Sequence, residues 1–65
     1  MQVFIFISDK EPNVRAFTPD DTGENLPAEY APWRALDGGR ALHLASVNDP
    51  IAVTIRTDGY FLAIS

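Results

Sequence analysis

Sixty-five residues, no cysteine, and nine carboxylates against five Lys and Arg for a net charge of −4 bound this chain to one small domain, residues 1–65, without disulfides or thiolate metal sites. The acidic excess argues against a phosphate-binding surface and hence against nucleic acid, and no apolar run approaches bilayer-spanning length, so no membrane partner is expected. At 46% hydrophobic residues, nearly every large side chain must be buried to make a core, and self-association as a homodimer is a natural source of further stability.

The chain opens on Val3-Phe4-Ile5-Phe6-Ile7, a β-branched and aromatic run of the kind that fits a pleated, buried surface. It is apolar on both faces, with Phe4 and Phe6 on one and Val3, Ile5 and Ile7 on the other, which predicts an interior strand covered on both sides. The run is too short for a signal-peptide core, no basic segment precedes it, and neither end carries a lipidation motif, so the expected location is cytoplasmic. Ser8 to Asn13 is a polar turn containing Pro12, and Val14–Thr18 resumes an extended pattern. Residues 2–8 and 14–18 are therefore expected to form an antiparallel hairpin, with the less apolar second strand nearer an edge.

Residues 19–33 are irregular, punctuated by Pro19, Gly23, Pro27 and Pro32. Pro27-Ala28-Glu29-Tyr30 suits one helical turn, and Leu26, Tyr30 and Trp33 are the expected anchors that let so long a loop pack over the sheet. Tyr30 and Trp33 serve as lids over the core or as anchors for a partner protein; the lid is favoured, because a small domain needs the buried area. Asp37-Gly38-Gly39 is a turn signal. Ala41–Ala45 then reads either as a short strand with Leu42 and Leu44 inward or as a helical turn.

Asp49-Pro50 and Gly59 are start and stop signals for a helix over residues 50–57, with Ile51 and Ile55 on one face. The same residues 51–57 also alternate and are β-branched, and Asp58-Gly59 is a hairpin dipeptide that would pair them with 60–65. The helix is favoured because both boundary signals fit it. The expected fold is thus α+β, a sheet of three to four strands with the last strand, Tyr60–Ile64, which is apolar on both faces and so also read as interior, beside the first. The all-β hairpin arrangement is the alternative. One helix shields one sheet face, leaving the other to the Pro-rich segment with Trp33 or to a second subunit.

No catalytic constellation is visible. His43 is the only histidine, so one chain cannot build a histidine metal cluster, and no nucleophile or carboxylate is nominated beside it as a base would need. Ser8, Ser46 and Ser65 lack a nucleophile-elbow motif. Asp20, Asp21 and Glu24 do not match the register of a calcium loop. The aromatics of the terminal runs lack the interleaved Lys or Arg of a base-stacking sheet. No enzyme, cofactor or metal is therefore expected. Gly38-Gly39-Arg40 could offer backbone N–H groups and a guanidinium to an anion, which makes an anion- or metabolite-binding regulator the alternative to a non-catalytic interaction domain.

Asp20-Asp21-Thr22-Gly23-Glu24-Asn25-Leu26-Pro27, then Ala31-Pro32-Trp33, and Asp58-Gly59-Tyr60-Phe61-Leu62 near the end resemble a group of short bacterial proteins of unknown function. The resemblance covers residues 14–33 and 51–62. It implies a bacterial source and a helix over residues 50–57, and it carries no activity to any residue.

Overall fold

The computed structural model describes residues 1–65. Its chain order is β1 (Gln2–Ser8), β2 (Val14–Thr18), a 3-10 turn (Ala28–Tyr30), β3 (Trp33–Ala35), a tight turn (Leu36–Gly39), β4 (Ala41–His43), α1 (Pro50–Asp58) and β5 (Phe61–Ile64). The fold is α+β: five antiparallel strands and one helix.

The helix forms because both of its ends are chemically fixed. Asp49 caps it by accepting from the Ile51 N–H at 2.9 Å, Pro50 occupies the first turn, and Gly59 ends it at φ 89°, donating its N–H to the Ile55 carbonyl at 2.7 Å. These groups satisfy backbone that a helix terminus otherwise leaves open. Once residues 50–58 are helical, the alternative hairpin of 51–57 with 60–65 has no first strand.

The hairpin of β1 and β2 is as expected, with Phe4 opposite Thr18 and Ile7 opposite Arg15. The sheet order corrects three expectations. The last strand, β5, pairs with β2 and not with β1, and β2 is accordingly an interior strand rather than a near-edge one. The reason is that the outer edge of β1 is already occupied, by β3 along Phe6–Ser8 and by β4 along Gln2–Phe4. It follows that β1 is interior and β5, also read as interior, is an edge strand. Ala41–His43 is a strand, resolving that ambiguity. Only Leu44 of the two leucines is buried; Leu42 remains 41% exposed.

Each face of the sheet has its own cover. On one, Val3 packs with Leu44 and with Ala52 and Ile55 of α1, joined by Phe17, Ile51 and Phe61. On the other, Phe6 and Ala16 pack with Leu26 of the Pro-rich segment, joined by Phe4, Trp33, Tyr60 and Leu62. Side chains tie this irregular cover down. The buried Ser8 hydroxyl donates to the Tyr30 carbonyl at 2.6 Å and accepts from the Glu11 N–H at 2.9 Å. Buried Thr18 donates to Asn25 Oδ1 at 2.8 Å, and Asn25 Nδ2 donates to the Gly59 carbonyl at 2.8 Å, linking β2, the cover and the helix end. Gly23 sits where any side chain would be strained: its φ is +70°, and a Cβ there would lie 3.1 Å from the Phe6 ring.

Candidate functional site

Two places on the surface bear on function, one at each edge of the sheet. The first is the break between β3 and β4. One residue would keep this arm in register opposite Ile5, but five lie between Ala35, paired with Phe6, and Ala41, paired with Phe4. The surplus bulges outward through Asp37, Gly38 and Gly39, all at positive φ, and the two glycines make the tight reversal cheap. Beneath it lies an open concavity of about 330 Å³ lined by Ile5, Asp37, Arg40, Ala41, Leu42 and His43.

Of the residues read as an anion contact, the structure brings Arg40 into this concavity, beside His43, and leaves Gly38 and Gly39 outside its lining. Asp37 lines it too, and its carboxylate opposes the charge that an anion would bring. The concavity therefore offers a cation and a histidine offset by a carboxylate.

Tyr30 and Trp33, the residues read as lid or anchor, are brought together. Their rings meet edge to face at 6.1 Å between centroids. Trp33 opens β3 opposite Ser8 rather than lying in the irregular stretch, and its indole N–H donates to the Pro27 carbonyl at 3.0 Å. Both are half-buried, and Trp33 packs against the Phe6, Ala16 and Leu26 cluster.

The second place is the free edge of β5. The segment Gly59-Tyr60-Phe61-Leu62-Ala63-Ile64-Ser65 has no charged residue and no proline, and Ile64 is 67% exposed. Sequence reasoning missed this site although its signal, an uncharged seven-residue run, was in view, because a two-faced apolar run reads as an interior strand. A third feature is electrostatic: Arg15 and Arg34 flank Ile7 in register, and Arg34 is held at 3.4 Å from Asp9 in an exposed ion pair that adds little to stability.

The Asp20 carboxyl is held below its ordinary value. The Thr22 hydroxyl and then the Thr22 N–H lower it, desolvation opposes them, and the Gly23 N–H adds a smaller lowering effect. The two Thr22 contacts are 2.6 and 2.9 Å long. This is a loop-ordering contact at a half-buried position. No three His, Cys, Asp or Glu side chains gather closely enough to hold a metal ion, and no helix is long and apolar enough to cross a membrane. Compared with family models, curated proteins and solved structures, the chain matches none.

Proposed function

We propose that this chain is a small non-catalytic protein-interaction module that associates with itself through its sheet. The observation that carries the reading is the unguarded edge: β5 ends the sheet, its run is uncharged and free of proline, and Ile64 stands in solvent. Natural sheets guard such edges with charge, proline, bulges or a covering element, because a bare row of N–H and C=O groups pairs readily with another strand. The half-burial of Tyr30 and Trp33 within the cover supports the lid role for them, so the edge is the better candidate for partner contact. The resemblance of residues 14–33 and 51–62 to short bacterial proteins supports a bacterial source, and a cysteine-free chain fits a reducing cytoplasm.

Molar mass by light scattering across a dilution series tests this reading. The expected result is a mass that rises toward that of two chains as concentration increases. One-chain mass at every concentration overturns self-association.

A second reading, binding of a small anion or metabolite, is favoured by the concavity that holds Arg40 and His43. Titration with inorganic phosphate, followed by amide chemical shifts, separates the two. Saturable shifts at residues 37–43 support the anion site, and their absence at millimolar phosphate removes it.

A further inference from the structure

The two edges of this sheet are guarded unequally. Along one, three-residue strands β3 and β4 are separated by a bulge, and Arg34, Asp37, Arg40 and His43 lie along the arm. Breaks and charges of this kind discourage strand addition. Along the other, β5 has neither break nor charge.

The hydrogen-bond phase of β5 says which of its groups are free. The Ser65 N–H donates to the Asn13 carbonyl at 3.0 Å, and these residues continue the register of Ala63 with Arg15 and Phe61 with Phe17. Antiparallel pairs alternate between those that exchange hydrogen bonds and those that do not. Phe61, Ala63 and Ser65 therefore bond to β2, while Leu62 and Ile64 direct their N–H and C=O groups away from the sheet.

We infer that these outward groups dock β5 of a second copy, in an antiparallel two-fold pairing centred on Ala63. The inference rests on the self-association reading and gives it a register. Centred there, Leu62 of each copy stands opposite Ile64 of the other, and each of the two pairs exchanges two hydrogen bonds. This is the register in which both outward residues of Phe61–Ile64 find partners inside the strand. On the cover side, Leu62 and Ile64 of both copies join into one apolar strip, which removes Ile64 from water. On the helix side, Ala63 meets Ala63 at the closely spaced, non-bonded position, where two methyl groups fit. Since Gly59–Ser65 carries no charge, no like side-chain charges face one another. The symmetry sets both copies of α1 on the same face of a joined sheet. Self-complementarity is what selects a second copy over an unrelated strand: one segment supplies both halves of the contact.

Three variants, compared with the unaltered chain by light scattering and circular dichroism, test the pairing. Ile64→Pro deletes an N–H that has no partner within one copy, at an edge position where proline is tolerated. Ile64→Lys places a charge on the strip, and Val47→Lys alters an exposed apolar residue outside β5. Ile64→Pro is expected to keep the spectrum and to weaken association about thirty-fold, the loss of two hydrogen bonds of ordinary net strength. Ile64→Lys is expected to give one-chain mass, and Val47→Lys to leave association unchanged. If Ile64→Pro fails to fold, Ile64→Lys decides. A dimeric unaltered chain with folded Ile64 variants equally dimeric overturns the β5 pairing and leaves self-association standing. Dissociation by Val47→Lys alone also overturns the pairing, and a monomeric unaltered chain overturns both.

Discussion

The helix and the irregular segment cover opposite faces of one sheet and hold to it by different means. A helix satisfies its own backbone, so α1 needs only its two caps and an apolar stripe, and Ala52 and Ile55 supply the buried contact with Val3 and Leu44. The segment through residues 19–33 has no such ladder. Gly23, Leu26 and Ala31 donate to carbonyls within the segment, and side chains serve other backbone groups: Ser8 donates to the Tyr30 carbonyl and the Trp33 indole to the Pro27 carbonyl. Thr18, through Asn25, ties the same segment to the helix end. The lesson is that an irregular cover depends on particular polar atoms where a regular one depends on apolar volume.

That contrast breaks most sharply with Ile55→Ala. Removing a buried side chain from the helix face is expected to cost about 3 kcal/mol, a large part of the total stability of a domain this small. A thermal melt followed by circular dichroism reads it, and a loss under about 1 kcal/mol would show that the site collapses freely. On the other face, Ser8→Ala removes little volume and strands two backbone groups, the Glu11 N–H and the Tyr30 carbonyl. The expected cost is about 2 kcal/mol, with faster hydrogen exchange at Glu11. Unchanged exchange there would mean water replaces the hydroxyl, and the face would then not depend on that atom.

How much of this was legible in the sequence follows the same division. The helix was legible because Asp49-Pro50 and Gly59 act locally, and the β1–β2 hairpin because its turn is polar and its strands extended. Sheet order was not. Alternation reports which side-chain faces are covered, whereas an edge is defined by unpaired backbone, so β5 and β1 carry the same pattern in different places. The three-residue strands β3 and β4 fall below the length at which a period shows, and their bulge hid that residues 33–43 form one arm along β1. Arg40 was legible as a surface cation, but its neighbour Asp37 in the concavity depends on that bulge.

Trp33→Phe separates the two contributions within the irregular cover. A phenyl ring remains to pack against the Phe6, Ala16 and Leu26 cluster, while the donor to the Pro27 carbonyl is lost together with the indole's second ring. The stranded Pro27 carbonyl is expected to cost about 1 kcal/mol, less than the two groups stranded by Ser8→Ala, with a packing loss added for the missing ring. A loss as large as that of Ile55→Ala would show that this face, too, is held by apolar volume.

The smallest expected effect is the pH response of the loop at Asp20. Its carboxylate is held below its ordinary value first by the Thr22 hydroxyl, then by the Thr22 and Gly23 N–H groups. A depressed folded value means that the ionised form is favoured in the folded chain, so the contribution is present above the unfolded value and is lost as pH falls through the folded one. The Thr22 amide resonance should therefore titrate with a midpoint acidic of ordinary aspartate, and Asp20→Asn should abolish that transition. Because these contacts are local and open to solvent, the thermal midpoint should barely follow it. If melting instead tracked the Thr22 titration, the loop's local order would be coupled to the seating of Gly23 against Phe6, and the irregular cover would unfold as one unit rather than contact by contact.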